Sequence, residues 1–231
     1  MAEGTVVVTG GTGALGTGVT EVLVSAGFMP VVTWVMDRER DAAVARFGDR
    51  VRLERLDVTD PDACDAFAAE LDAAGGAWGL AHLVGGYRDG EPVARMDVAG
   101  WNQQVTLNLT SAALMLRAML PGMIARGGGR VVTISSRAAV RPFAGAGAYA
   151  ASKAGLIALV AAASDEAKDD GVTVNCLLPS VIDTPANRRA QPDADPSRWV
   201  APTEIGEVVA FLMSRSSSAI TGAAIPVYGR A

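Results

Sequence analysis

Residues 5–16 read Thr-Val-Val-Val-Thr-Gly-Gly-Thr-Gly-Ala-Leu-Gly, and an apolar-periodic segment runs on from there to about Ala26. Thr5–Thr9 has the unbroken, β-branched character of a strand buried on both faces. Gly10, Gly13 and Gly16 permit a tight backbone turn, and the segment after them has helical periodicity. Strand, glycine turn and helix in immediate succession form the context of a dinucleotide site. The glycines let the main chain approach a pyrophosphate, and the helix start offers it free N–H groups. Thr12 and Leu15 lie in the same turn, so the expected cofactor contacts there are Gly10, Thr12, Gly13, Leu15 and Gly16.

The alternation continues along the chain. Strands are expected at 31–35, 51–56, 80–84, 130–135, 172–178 and 224–227, with helical segments between them. No Pro- or Ser-rich linker divides the sequence. This predicts an α/β fold: one Rossmann-type, doubly wound parallel sheet of about seven strands with helices on both faces, a single domain over 1–231. Asp60-Pro61 opens one helix, with proline at a favoured first position. A long helix is expected over 101–126, apolar nearly all round from Leu107 to Met119, and a second over 147–168. Helices without a full polar face predict packing between subunits, hence a homo-oligomer, dimer or tetramer. Residues 185–200 are polar and proline-bearing and are predicted as a substrate loop or short lid. Thr203–Ser214 reads as the last helix.

Ligands of such sheets bind at the carboxyl ends of the strands. Several chemistry-bearing residues come after strands and converge there. Ser136 ends the fifth strand, and Tyr149 and Lys153 stand four apart, one turn along a shared helix face. A free phenol has a pKa of ~10, and an adjacent ammonium favours the phenolate. With Ser136 holding an oxygen, the three suit an alcohol–carbonyl interconversion. Asn108 is an unfavourable helix residue inside an apolar helix. Gly85-Gly86 after the fourth strand is another place where backbone approaches a ligand, and Asp57-Val58 closes the third strand. About twenty residues past the glycine turn, Met36-Asp37-Arg38-Glu39-Arg40 offers both signs of charge. An acid there holds a ribose 2′-hydroxyl and favours NAD, whereas a base favours the 2′-phosphate of NADP. The strand end near Trp34 carries no acid, so the reading leans to NADP(H) through Arg38, with NAD(H) possible through Asp37.

The net charge of −5 argues against nucleic acid or an anionic membrane as partner. Cys64 and Cys176 match no metal-ligand spacing and read as reduced core thiols, and the lone His82 cannot build a metal cluster, so no metal is expected. No continuous apolar run reaches the ~18 residues of a membrane span. Met1-Ala2-Glu3 leads straight into a strand without a secretory pattern, and a cytoplasmic location is expected. A small-molecule substrate would meet residues after Ser136, Tyr87, Arg88 and the 185–200 segment. Arg141, Arg188 and Arg189 read as solvated.

Over essentially its whole length the sequence resembles the short-chain dehydrogenase/reductases, with motifs in the family's order. Thr9–Gly16 resembles the cofactor turn, and Asp57 matches the adenine-contacting Asp. Asn108, Ser136, Tyr149 and Lys153 match the four catalytic positions, and Pro179–Thr184, with Ile182 and Thr184, resembles the segment holding the nicotinamide amide. The resemblance implies an NAD(P)-dependent oxidoreductase in which Tyr149 is the acid, Ser136 clamps the oxygen, Lys153 lowers the tyrosine pKa and holds the nicotinamide ribose, and Asn108 positions a relay water. Alternatives on the same fold are a cofactor-sensing regulatory protein and a reductase of C=N or C=C bonds. Three departures stand out. Ala14 replaces the short branch's second glycine, a spacing more usual in the epimerase-like branch. His82-Leu83-Val84-Gly85 replaces Asn-Asn-Ala-Gly, and Ser180 replaces the glycine after proline.

Overall fold

β1 (Thr5–Thr9), β2 (Met29–Trp34), β3 (Arg52–Arg55), β4 (Gly79–His82), β5 (Gly129–Ile134), β6 (Val172–Pro179) and β7 (Ala224–Val227) form one parallel sheet in the order β3-β2-β1-β4-β5-β6-β7. This computed structural model describes residues 4–88 and 90–230; Met1–Glu3, Asp89 and Ala231, and with them the reading of the chain start, lie outside it. Strand order reverses between β1 and β4, which opens a crevice at their carboxyl ends.

The helices are α1 (Ala14–Ser25), α2 (Asp37–Phe47), α3 (Pro61–Ala73), α4 (Val98–Val105), α5 (Ser111–Ala125), α6 (Gly147–Ala167), α7 (Pro185–Ala190) and α8 (Pro202–Met213). Successive strand residues point to opposite faces. Val7, Leu80, Val131 and Cys176 therefore face one core with Phe67 of α3, Met115 of α5 and Leu156 of α6. Val6, Val8, Val132 and Leu177 face the other, with Val19 and Leu23 of α1 and Ile205 and Val209 of α8. Small residues let α1 and α8 touch closely. A methyl group at Gly18 would lie 2.5 Å from Pro202 Cβ, and one at Gly206 2.9 Å from Val22 Cγ2. Both cysteines are buried and free.

The structure corrects three local expectations. β4 stops at His82 rather than Val84. The helix expected over 101–126 starts at Val98, capped by Asp97, and widens into a π turn at Thr106–Thr110, where Ser111 N–H donates to Thr106 O. The polar 185–200 segment is not all loop. Thr184 Oγ1 accepts from Asn187 N at 3.2 Å, Pro185 takes the first helical position, and α7 forms. Ile182 and Val200 pair across its base. Val98–Ala125 and Gly147–Asp170 are long and apolar enough, by length and composition alone, to cross a membrane. Here they supply Met115, Met119, Leu156 and Val160 to the core.

Candidate active site

The crevice beside β1 is a cavity of about 410 Å³ lined by Gly10, Thr12, Gly13, Leu15 and Gly16, by Thr33–Met36 and Glu39, by Asp57 and Val58, and by Val84 and Gly85. Its fit to a dinucleotide is tested by its glycines. Gly10 takes φ +68°, in the left-handed region that side chains avoid. A methyl group at Gly16 would lie 2.1 Å from Gly10 O and 2.4 Å from Gly11 Cα, so main chain packs against main chain there. No side chain caps α1, and its first turn holds no acid. Its N–H groups and the positive end of its dipole are left to an anion. Asp57 Oδ1 accepts from Thr59 N at 2.9 Å and Thr59 Oγ1 at 2.6 Å, which holds its carboxyl below the usual range. Asp57 is thus both a turn carboxylate and a cavity wall.

Arg38 and Asp37 are exposed in the first turn of α2 and are absent from the cavity lining. Glu39 occupies that wall instead. The reason is helix phase: α2 begins at Asp37, and its third residue is the one turned back toward the strand end. Arg38 thus stands beside the cavity wall rather than in it.

A second cavity of about 310 Å³ is lined by Arg88, Glu91, Met96, Asp97, Trp101, Gln104, Gly145, Ala148 and Tyr149. Among the residues expected around a substrate, Arg88 lines it, and so do Gly145, Ala148 and Tyr149 from the stretch after Ser136. Tyr87 instead packs edge-on against Tyr149 at 5.2 Å and, tilted, against Phe143 at 5.9 Å. Residues 185–200 do not line it, and Arg188 is paired with Asp183 at 2.6 Å. Pro179 ends β6, Ile182 and Thr184 follow it, and all three are outside both linings.

Of the four catalytic candidates, Tyr149 lines the second cavity, and Asn108 and Lys153 reach Gly85 in the wall of the first. The Ser136 hydroxyl bonds the Tyr149 phenol, which favours phenolate, but burial outweighs it and holds the phenol above its ordinary pKa. Lys153 is buried and its Nζ donates to Ile134 O at 2.6 Å. Burial lowers it to about 8. The expectation that Lys153 lowers the Tyr149 pKa is not met in this geometry, because the ammonium is directed at the Ile134 carbonyl. Asn108 is bound on every side: Gly86 N donates to its Oδ1 at 2.9 Å, and its Nδ2 donates to Gly86 O at 3.0 Å and Gln104 O at 3.1 Å. A methyl group at Gly85 would lie 2.7 Å from Asn108 Oδ1 and 2.9 Å from Lys153 Nζ. Gly85 thus packs against both side-chain tips, and it also lines the dinucleotide cavity.

Sequence reasoning saw His82 only as a lone histidine that could not hold a metal, and it missed Gln104. His82 is buried; its Nδ1 is 2.8 Å from Thr9 Oγ1 and its Nε2 3.2 Å from Ser111 Oγ. Ser111 gives its own proton to Leu107 O at 2.7 Å. Ser111 must therefore accept from Nε2–H, and Nδ1 accepts from Thr9, which fixes a neutral tautomer. This chain ties β1 and β4 to the π turn bearing Asn108 and replaces the support that the absent asparagines would give. Burial lowers the His82 pKa to about 3, with the Lys153 charge adding to it. The unfolded chain binds this proton below about 6.5 and the folded one does not, so stability falls as pH drops from 6.5 toward 3, by up to about 1.4 kcal/mol per unit. His82→Asn should flatten that part of the curve in chemical denaturation between pH 4 and 6.5, and an unchanged slope would remove His82 from this role.

The sequence model described as enoyl-(acyl carrier protein) reductase matches residues 11–229. The chain belongs to the short-chain dehydrogenase/reductase family. It is 34% identical to cis-4-hydroxycyclohexanecarboxylate dehydrogenase of Sinomonas cyclohexanicum, over 99% of this chain and 96% of that one. It is 31% identical to 3-oxoacyl-(acyl-carrier-protein) reductase of Vibrio cholerae, over 96% and 94%. A short-chain type dehydrogenase/reductase from Mycobacterium ulcerans superposes with a TM-score of 0.91 at 28% identity, covering 97% of this chain and 88% of its own. Short-chain dehydrogenase/reductases are NAD(P)(H)-using oxidoreductases, and the seven-stranded parallel sheet is that of this family.

Proposed function

We propose that this short-chain dehydrogenase/reductase interconverts a carbonyl and an alcohol on a small organic substrate. One observation carries the reading. A single turn of α6 places Tyr149 on the smaller cavity and Lys153 against Gly85, the wall of the dinucleotide cavity. The nicotinamide, when bound, supplies or accepts hydride at the carbonyl carbon. The protein handles the oxygen. Tyr149 gives it a proton in reduction and takes one back in oxidation, and Ser136 hydrogen-bonds it as charge develops. Two hydroxyls aimed at one atom favour a carbonyl over an isolated C=C bond. Lys153 keeps a positive charge under the site, and Asn108 holds the Gly85-Gly86 backbone against it. Arg88, Glu91 and Trp101 give the substrate cavity mixed polarity. The cyclic hydroxy acid and oxoacyl group in the relatives' names are the substrate classes to try first. A homo-oligomer through 101–126 and 147–168 belongs to this reading; the exposed Ala151, Ala154, Ala158 and Ala161 on one face of α6 support it. So do a cytoplasmic location and the absence of a nucleic-acid or membrane partner, on charge and composition.

The test is turnover of ring ketones, oxoacyl thioesters and the corresponding alcohols with both nicotinamide dinucleotides, across pH. The phenol stays protonated at neutral pH. Reduction should therefore be flat there, while oxidation, which needs phenolate, should climb with pH through 8, where Lys153 has given up about half its charge. Binding of dinucleotide without turnover of any member would favour the regulatory alternative.

A further inference from the structure

We infer that Glu39, not the charged pair before it, selects the dinucleotide, and that it selects NAD(H) over NADP(H). The inference rests on the dinucleotide reading above. If the pyrophosphate sits on the Gly10–Gly16 turn and the adenine by Asp57, the adenosine ribose falls against the end of β2. The wall there is Thr33, Trp34, Val35, Met36 and Glu39. Its one ionisable side chain is the carboxylate. Glu39 Oε2 accepts from Val35 N at 3.3 Å and Met36 N at 3.2 Å. These bonds fix the group at the cavity edge, and Oε1 has no partner among the described residues. The Trp34 indole Nε1, in the same wall, is buried and likewise without a partner.

A ribose diol can donate to the free carboxylate oxygen. A 2′-phosphate cannot, and it would bring a second anion against the first. The nearby cations are not placed to offset this. Arg38 and Arg40 are exposed and line neither cavity, and the Arg55 guanidinium lies over the Trp34 ring, 5.9 Å from its centroid, outside the lining. The acid thus comes from the first turn of α2 rather than from the strand end, which is why spacing from the glycines does not find it.

The experiment is fluorescence titration of the purified protein with NADH and with NADPH, for wild type, Glu39→Gln and Glu39→Lys, with thermal melts alongside. Wild type should bind NADH about 10- to 100-fold more tightly, the size of a hydrogen bond to a charged group. Glu39→Gln keeps an oxygen for the two backbone N–H groups and loses the charge, so the preference should collapse toward parity while the melting temperature holds. Glu39→Lys should invert it. A wild type that prefers NADPH, or a preference unchanged in Glu39→Gln, overturns the assignment while leaving the dinucleotide site intact. Binding of neither by wild type overturns the glycine-turn reading itself, and this inference with it. Should Glu39→Lys fail to fold, Glu39→Gln alone decides.

Discussion

Tyr149→Phe should lower turnover by roughly 100- to 10,000-fold, the span that a positioned general acid contributes. Only the oxygen is removed. The ring keeps its edge-on contact with Tyr87 at 5.2 Å and its place in the first turns of α6. The variant should therefore fold and bind dinucleotide as wild type does, since the dinucleotide cavity is lined by other residues. The loss should fall on kcat, because the proton is transferred in the transition state rather than on binding. Steady-state kinetics in both directions, with cofactor titration as the control, measure this. Turnover within about tenfold of wild type would sink the assignment of the phenol as acid.

Gly16→Ala should abolish dinucleotide binding and destabilise the chain by about 1–3 kcal/mol or more, as overpacking does. The added carbon would lie 2.1 Å from Gly10 O, 2.4 Å from Gly11 Cα and 2.7 Å from Gly11 C. These are backbone atoms with no rotamer to escape into, so the turn itself must open. Gly13→Ala is the contrast, because its new carbon meets only Gly10 O, at 3.4 Å. That variant should keep a near-native melting temperature. Equal destabilisation of the two would mean that the turn yields more easily than this packing implies.

Much of the fold is readable from residues alone, and the unreadable parts have specific causes. The order of strands and helices comes from apolar runs and glycine stops, and β1, the turn and α1 fall where the first twenty-six residues place them. Ser136, Tyr149 and Lys153 are legible because a four-residue spacing on a helix is a spatial statement. The reader of the ribose is not, because the phase of α2 depends on where its first turn begins, and one residue of difference exchanges Arg38 for Glu39. The π turn at Thr106–Thr110 leaves no mark in composition. His82 is legible as a lone buried histidine, but its partners Thr9 and Ser111 meet it only through the sheet. Arg88 is found for the substrate cavity, whereas Trp101 and Gln104 reach it from a helix read only for its core face.

The close contact of α1 with α8 through Gly18 and Gly206 bears on how the protein is made. The helix just after the glycine turn leans on α8, so its packing awaits residues synthesised about 180 positions later. A nascent chain emerging from the ribosome would carry the complete pyrophosphate loop long before it had the surface that steadies it. Closure across nearly the whole sequence is slow relative to local contacts. The nucleotide should therefore be captured only once α8 has emerged and packed, and a chain truncated before α8 should lack a working cofactor site.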